Sequence, residues 1–275
     1  MNFTPRMRKV ITLAAEMSPI VYPHHLLAGI FDEANSVCGE IHLCLHVKFG
    51  DQFKQDLFDH VPALQNESVM IIDGINCSKS TESVFKEAEK QMQKYNQQLI
   101  NEGHLLSCLF QEEAIAAFLG TETVRELMNI ACVPRDLIVH LDRLKDFQYA
   151  RTDIRRAIYK DVPAIKAFIL REFGERWLRI LSDLDKENTN LPIYIAEHNG
   201  TLTGFACYDI VRGRKGLFGP MGTAADSRFK SIGKDMLYTC LLEMKHFGYE
   251  FAVIGQAGPI EFYERACGAR LIPQF

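Results

Sequence analysis

At 275 residues, with 47% hydrophobic and 24% charged residues, the chain has a globular composition and is long enough for two domains. This composition excludes disordered and collagen-like chains, and every apolar run is shorter than the ~20 residues that cross a bilayer. The net charge of −4 conceals an asymmetry, because residues 1–150 carry 13 basic and 20 acidic side chains whereas residues 151–275 carry 18 and 15. A mildly basic second half suits a small anionic ligand better than nucleic acid.

The eight cysteines are scattered through apolar segments and form no CxxC pair. The first residues, MNFTPR, lack the apolar core of a signal peptide. We therefore expect reduced, buried thiols in a cytoplasmic protein that has neither a membrane segment nor a nucleic-acid partner.

Helical signals dominate the first half of the chain. Thr4 and Pro5 form an N-cap followed by proline at the first helical position, and an apolar face repeats at helical spacing after them. This apolar face consists of Val10, Leu13, Ala14 and Met17. Further helices are predicted to begin at Pro23 and to cover residues 84–100, 104–119, 123–131 and 134–144. The apolar run 69–72 precedes the turn signal Asp73-Gly74, and a buried loop is one interpretation of it.

An internal repeat lies within these helices. Residues 25–31, HLLAGIF, match residues 104–110, HLLSCLF, at four of seven positions. Two copies of one helical hairpin can bury apolar faces that neither copy could bury alone. We therefore expect the two copies to be related by a pseudo-twofold axis.

After residue 146 the pattern changes to a mixture of strands and helices. We predict strands over 154–157, 193–197, 202–211, 217–223, 251–254 and 270–272, and helices over 161–173, 175–184, 232–247 and 259–266. Asn199 and Gly200, between the second and third strands, are typical of a hairpin turn. The sequence predicts an α+β protein, all-helical at first and mixed α/β afterwards, with a boundary near 146–152.

The segment 223–234, TAADSRFKSIGK, lies between the end of a predicted strand and the start of a predicted helix. Such a junction directs unpaired backbone N–H groups and the positive end of the helix dipole at whatever lies in front of it. Arg228, Lys230 and Lys234 add full charges, and Gly233 allows close approach to the backbone. These features suit a pyrophosphate, although a solvated basic turn explains the same residues.

Two runs in this half resemble motifs of the GNAT superfamily of acetyl-CoA-dependent N-acetyltransferases. Residues 228–233, RFKSIG, resemble its Arg/Gln-x-x-Gly-x-Gly/Ala motif, and residues 262–269, FYERACGA, resemble a signature near its C-terminus. The resemblance covers residues 152–275 and implies a central, mostly antiparallel sheet. It also implies acetyl transfer from acetyl-CoA, without a metal, to a primary amine on a small molecule or a protein; which amine accepts the acetyl group stays open.

The same resemblance implies roles for individual residues. Tyr263 would protonate the departing CoA thiolate, although packing of its ring beneath the sheet is an alternative. The cofactor-binding residues that the resemblance implies are Met221, Thr223, Arg228, Phe229, Lys230, Ser231, Ile232, Gly233 and Lys234. Glu197, Asp209 and Asp226 lie near predicted strand ends, but we nominate none of them as general base.

The sequence departs from the family pattern in three ways, and two of them, Ser231 and the seventh strand, support a second hypothesis, whereas Tyr263, Arg228, Lys230 and Lys234 favour the enzyme. Ser231 stands at the position of the first motif glycine, and Phe229 occupies a position where another glycine is frequent. Gly258-Pro259 replaces the usual asparagine-containing approach to the last helix, and the seventh strand common in the family is missing or supplied otherwise. The alternative to an enzyme is therefore a non-catalytic acetyl-CoA sensor or adaptor.

The first half resembles the double Clp repeat in the N-terminal domain of Clp-type AAA+ chaperones. The resemblance rests on residues 3–6, residues 25–30 and the second copy at 104–106, and it covers residues 1–146, with repeats at about 3–60 and 82–146. No Walker motif follows, so the resemblance implies a protein-binding module without an ATPase. A helical bundle that only supports the transferase or a homodimer is the alternative.

One cluster has the spacing of metal ligands. Cys38, His42 and His46 follow one another at intervals of four residues on a predicted helix. A zinc site would need a fourth ligand at a recognisable spacing, so we interpret the three as packing residues and expect no metal.

Overall fold

The computed structural model describes residues 1–63, 69–72, 74–95, 97–144, 153–179, 191–211, 215–224 and 231–274. The chain forms two compact units, unit 1 (Met1–Pro134 with Pro273–Phe275) and unit 2 (Arg135–Ile272). This division lies between Pro134 and Arg135, earlier in the chain than the boundary expected near 146–152. No helix in the described ranges has the length and apolarity needed to cross a membrane.

Unit 1 is helical, with one short hairpin in its described part. Its elements are α1 (Pro5–Met17), α2 (Pro23–Glu33), α3 (Val37–Phe49), α4 (Phe53–His60), β1 (Val69–Ile72), β2 (Ile75–Ser78), α5 (Lys79–Lys94), α6 (Glu102–Leu109), α7 (Glu113–Leu119) and α8 (Thr121–Ala131). The run 69–72 is thus an exposed strand and not a buried loop, and the single helix expected over 104–119 is divided into α6 and α7.

The start of α1 follows the sequence prediction. The Thr4 hydroxyl accepts a hydrogen bond from the Met7 backbone N–H at 3.1 Å, and Pro5 occupies the first turn. Val10 and Ala14 are buried as expected, because the helix packs one face into the core of unit 1.

The internal repeat is confirmed by its hydrogen bonds. In the first copy the Tyr22 backbone N–H donates to His25 Nδ1 at 3.1 Å, and in the second the Asn101 N–H donates to His104 Nδ1 at 3.2 Å. The histidine at the third position of each helix therefore caps that helix, which gives both residues a structural role.

Two isolated β-bridges show the symmetry of the repeats. The residue before α1, Phe3, pairs with Ile100 before α6, and Val21 before α2 pairs with Cys77 before α5. The first helix of each copy is thus tied to the second helix of the other. This exchange is the arrangement that a pseudo-twofold axis requires.

The described part of unit 2 contains one sheet covered by helices. Its elements are β3 (Arg135–His140), β4 (Ile154–Arg156), α9 (Val162–Phe173), α10 (Glu175–Leu178), β5 (Ile193–His198), β6 (Thr201–Tyr208), β7 (Leu217–Thr223), α11 (Ile232–His246), β8 (Phe251–Ala257), α12 (Ile260–Cys267) and β9 (Arg270–Leu271). The strand order is β4-β5-β6-β7-β8-β3-β9, and every neighbouring pair is antiparallel except β7 and β8. The predicted α+β class and mostly antiparallel sheet are confirmed.

The helix predicted over 134–144 is wrong, because residues 135–140 form β3. Leu137 and Val139 are buried while Asp136 and Ile138 are exposed, which is the alternation of a strand with one buried face. β3 lies between β8 and β9 and is antiparallel to both. The family resemblance implies a further strand at the end of the domain. In this chain β3, which precedes the other strands of the sheet, provides a strand instead.

Small residues in the sheet allow helices to pack on both of its faces. A Cβ at Gly222 would lie 2.4 Å from the Phe173 ring of α9, and a Cβ at Gly204 would lie 2.6 Å from Met236 Cε of α11. Phe205, next to Gly204, belongs to the core on the α9 side. Because neighbouring strand residues point to opposite faces, α9 and α11 cover opposite sides of the sheet.

Candidate functional site

The parallel strands β7 and β8 separate along their length. They pair only at Leu217–Val253 and Phe218–Ile254, after which β7 continues to Thr223 and β8 to Ala257 without further pairing between them. On its other side β7 remains paired to β6 as far as Thr223. We call the opening between residues 219–223 and 255–257 the cleft. Along this stretch β7 has no ladder partner in β8.

The start of α11 lies against the end of β7. A Cβ at Gly233 would be 3.6 Å from Thr223 Cγ2 and 3.9 Å from both Met221 Cε and the Phe262 ring. The structure thus brings together three of the predicted cofactor-binding residues, Gly233, Thr223 and Met221, beside α12. These distances are ordinary van der Waals contacts, so internal packing alone does not require glycine at position 233.

The start of α11 has an unusual backbone conformation. Ser231 precedes α11 with φ +84°, a left-handed conformation that favours glycine, and its hydroxyl donates to Asp235 Oδ2 at 3.3 Å. Ile232, the first helical residue, is buried at 2% exposure, and the Lys234 ammonium lies 5.8 Å from the Tyr238 ring. Arg228, Phe229 and Lys230 lie outside the described residues.

Tyr263 lies close to the point where the two strands separate. Its ring centroid is 6.4 Å from that of Phe218, the last residue of β7 that pairs with β8, and 5.0 Å from that of Phe262. The residue is buried. Burial, followed by the nearby Cys267 thiol, raises the pKa of Tyr263 well above its ordinary value.

The raised pKa defines what this phenol can do. It remains protonated through the neutral and mildly alkaline range, and a thiol has an ordinary pKa of about 8.5, so complete proton transfer from Tyr263 to a thiolate is unfavourable. A hydrogen bond from Tyr263 to a developing thiolate does not need complete transfer of the proton. The environment of Tyr263 therefore favours a hydrogen-bond donor over a free acid.

The carboxylates considered as general bases are engaged elsewhere or not described. Glu197 accepts hydrogen bonds from the Arg155 guanidinium at 2.9 and 3.0 Å. Asp209 accepts from the Gly216 backbone N–H at 2.7 Å and from the Tyr249 hydroxyl at 2.8 Å. Both are held by structural partners, and Asp226 lies outside the described residues.

Sequence reasoning missed two aromatic side chains at the site. Phe218 marks the vertex of the cleft, and Phe262 lies against the Gly233 position. Phe262 could have been found from its place in the FYER run, directly before Tyr263. Phe218 carries no comparable signal, because its importance comes from the register of β7 against β8.

The histidines of α3 make contacts within unit 1. His42 Nδ1 is 2.9 Å from the Phe31 carbonyl oxygen, and the two rings pack with centroids 4.2 Å apart. His46 faces Asp51 at 3.4 Å. Across the described ranges, no group of three or more histidine, cysteine or acidic side chains has the geometry of a metal site.

Comparison with known proteins assigns a family model to each half of the chain. Residues 2–121 match the model described as Clp repeat (R) N-terminal domain, and residues 162–269 match the model described as Acetyltransferase (GNAT) family. The comparison with curated proteins gave no significant match.

Solved structures resemble one or both halves. The N-terminal domain of the chaperone ClpD from Arabidopsis thaliana is 21% identical, with 48% of this chain and 92% of that chain covered and a TM-score of 0.37. An acetyltransferase from the GNAT family of Novosphingobium aromaticivorans is 17% identical, with 51% and 61% covered and a TM-score of 0.38. A GCN5-related N-acetyltransferase from Sphaerobacter thermophilus is 13% identical, with 88% and 90% covered and a TM-score of 0.40.

Proposed function

We propose, from the match of residues 162–269 to the GNAT acetyltransferase family, that unit 2 transfers an acetyl group from acetyl-CoA to a primary amine. The observation that supports this proposal most directly is the separation of β7 from β8 with Tyr263 near its vertex. An extended ligand entering the cleft would meet the part of β7 that has no partner in β8, with the hydrogen-bond donor Tyr263 near its inner end. The acceptor is an amine on a small molecule or a protein.

The described residues fit acetyl-CoA in two respects. The amides of a pantetheine arm would pair with backbone groups of residues 221–223, which have no ladder partner in β8. The pyrophosphate matches the amides at the start of α11, where the helix dipole favours negative charge and Gly233 permits close approach. Lys234 would add a charge to the same group, as would Arg228 and Lys230.

The thioester supplies an activated acyl group when acetyl-CoA is bound. The residues of this chain would then perform three tasks. The start of α11 holds the pyrophosphate, and the β7 backbone orients the acyl end towards the vertex of the cleft. Tyr263 donates a hydrogen bond to the sulfur as negative charge develops on it, which lowers the barrier to its departure. The attacking amine must be deprotonated, and we assign no residue to that step.

For unit 1 we propose recruitment of a protein partner or of a protein substrate. The support is the match of residues 2–121 to the Clp repeat domain, a protein-interaction module. The repeat histidines do not contribute chemistry to this proposal, because His25 and His104 are engaged in capping their helices.

Two measurements on the full-length protein test the enzymatic proposal. Calorimetric titration with acetyl-CoA should show saturable binding, and CoA release in the presence of a panel of amines and peptides should identify turnover. Binding with no turnover on any acceptor would favour the sensor alternative over the enzyme. Absence of both would contradict the proposal.

Substitution of Tyr263 separates a role in transfer from a role in packing. Tyr263→Phe keeps the ring and removes the hydroxyl, so kcat should fall by about 10²-fold or more while acetyl-CoA affinity barely changes. Tyr249→Phe is the matched control, because its hydroxyl is bonded to Asp209 outside the cleft. Full activity in Tyr263→Phe, combined with lost stability in Tyr263→Ala, would restrict Tyr263 to packing.

Charge neutralisation at the two ends of α11 tests the pyrophosphate site. Lys234→Gln should weaken acetyl-CoA binding, most strongly at low salt, because part of the attraction is screened by ions. Lys245→Gln removes the same charge from the last turn of the same helix and should leave binding unchanged. Equal effects of both substitutions would argue against an anion site at the start of α11.

A further inference from the structure

Helix α12, which carries Tyr263, is attached to the sheet through β3, a strand that lies outside the GNAT-like segment. α12 connects β8 to β9, and these two strands are not neighbours in the sheet, because β3 lies between them. β3 pairs with β8 at residues such as Val139–Ala252 and with β9 at Leu137–Leu271. Both ends of the β8–α12–β9 connection therefore depend on residues 135–140, which precede the family match at 162–269.

The first two residues of β3 bind both ends of that connection. Asp136 Oδ1 accepts a hydrogen bond from the Gln256 backbone N–H of β8 at 2.7 Å. The Asp136 carbonyl oxygen accepts from the Ile272 N–H, just beyond β9, at 2.9 Å. The guanidinium of Arg135, a fully buried residue, donates to the Ile272 carbonyl at 3.2 Å. One dipeptide thus fixes the backbone on either side of α12.

The Asp136–Gln256 bond lies at an irregular point of β8. Gln256 has φ +49°, in the left-handed region that non-glycine residues rarely occupy. The register of β3 against β8 also shifts between Arg135 and Leu137. Gln256 belongs to the part of β8 that has separated from β7 and forms one wall of the cleft. A side-chain acceptor here stabilises a backbone conformation that the strand alone would not keep.

We propose that Asp136 is a positioning residue for acetyl transfer, acting through the Gln256 backbone on the β8 wall of the cleft and on α12. This inference rests on the proposed function of unit 2. It assigns part of the acetyl-CoA site to the segment that joins the two family-like halves. Asp136 makes no chemical contribution of its own.

The test compares three variants of the full-length protein. Asp136→Ala removes the acceptor and should weaken acetyl-CoA binding about 3- to 10-fold, the range expected for loss of one hydrogen bond. Asp136→Asn keeps a carbonyl oxygen at the same position and should restore binding. Asp142→Ala removes an acidic side chain from the same segment, where it faces Lys245 at 3.6 Å, and should leave binding unchanged.

Two further readouts distinguish positioning from general stability. Hydrogen exchange at the Gln256 amide should be accelerated in Asp136→Ala and remain slow in Asp136→Asn. Asp136→Ala should also raise KM for acetyl-CoA more than it lowers kcat, because Tyr263 keeps its hydroxyl. If Asp136→Ala lowers the yield of folded protein, Asp136→Ser replaces it, since serine is one bond shorter and cannot reach the Gln256 amide in the same way.

The outcomes separate this inference from the proposed function. Wild-type protein that binds acetyl-CoA together with an Asp136→Ala variant of unchanged affinity would overturn the inference and leave the function intact. Equal weakening by Asp136→Ala and Asp142→Ala would also overturn it, because a general charge effect would then explain both. Wild-type protein that does not bind acetyl-CoA would overturn the proposed function and the inference with it.

Discussion

His24 should make the stability of unit 1 sensitive to mild acid. The residue is 5% exposed at the start of α2, with ring centroids 4.3 Å from His25, 5.8 Å from Tyr22 and 5.7 Å from Phe58. Burial among these rings, followed by the charge of His25, lowers the pKa of His24 to about 4. The folded protein therefore binds the proton less readily than the unfolded chain, whose histidines titrate near 6.5.

The direction and size of the effect follow from this difference. The stabilisation is complete above pH 6.5 and is lost as the pH falls towards 4, because only the unfolded chain gains the proton in that interval. The free energy of unfolding should decrease by about 2 kcal/mol at pH 5 and by about 3 kcal/mol at pH 4. Burial also lowers the pKa values of His25 and His104. The stability that these two histidines contribute is lost at low pH in the same way and adds to the loss from His24.

Denaturant unfolding at pH 7.5, 6 and 5 measures this dependence in the full-length protein. Far-UV circular dichroism follows the helices of both units, most of which lie in unit 1 in the described part of the chain, whereas the fluorescence of Trp177, the single tryptophan, follows unit 2 alone. The dichroism transition should shift to lower denaturant with falling pH. In His24→Phe, which keeps an aromatic ring, the slope of stability against pH should be markedly flatter.

His60→Phe is the matched control, because His60 is an exposed histidine of the same unit. Its pH dependence should equal that of the wild type. The reasoning would be refuted if His24→Phe lost stability with falling pH as steeply as the wild type, since the proton would then be taken up elsewhere.

Three substitutions test the packing of the backbone. Gly222→Ala should destabilise unit 2 by about 1–3 kcal/mol, because the new methyl group would lie 2.4 Å from the Phe173 ring; tryptophan fluorescence during unfolding measures it, and an unchanged midpoint would contradict the packing described. Gly103→Ala should destabilise unit 1 by about 1–3 kcal/mol, because the new Cβ would lie 2.5 Å from the Ala131 carbonyl oxygen. A thermal melt followed by circular dichroism measures this change. Ser231→Gly should stabilise unit 2 by about 1 kcal/mol by relieving a positive φ, without weakening acetyl-CoA binding, and a loss of stability would show that the serine hydroxyl outweighs the strain.

Local signals were sufficient to predict most helices and one part of the site. Thr4 and Pro5 define the start of α1, and the repeated HLL segments define two helices that are capped in the same way. The strand–turn–helix spacing around Gly233 identified residues that do lie together at the end of β7. Their roles in binding acetyl-CoA stay predictions.

The strand β3 shows why the rest could not be predicted. Leu137, Ile138, Leu141 and Leu144 have helical spacing, whereas Leu137, Val139 and Leu141 alternate as in a strand, so local periodicity fits both structures. Residues 135–140 form a strand because they pair with β8 and β9, whose residues lie far along the chain. The Asp136–Gln256 bond and the position of Phe218 depend on the same distant pairing, and no short motif records them.

The position of β3 in the sheet also sets an order of events during synthesis. Leu137 and Val139 leave the ribosome long before residues 251–257 and 270–271, with which their strand must pair. The described helices of unit 1 are complete by residue 131, so these helices can fold while unit 2 is still being made. The strand between them is then left as an unpaired, partly apolar segment until both partners emerge, and pairing across so large a separation is slow. During that interval β3 is open to aggregation and to chaperones.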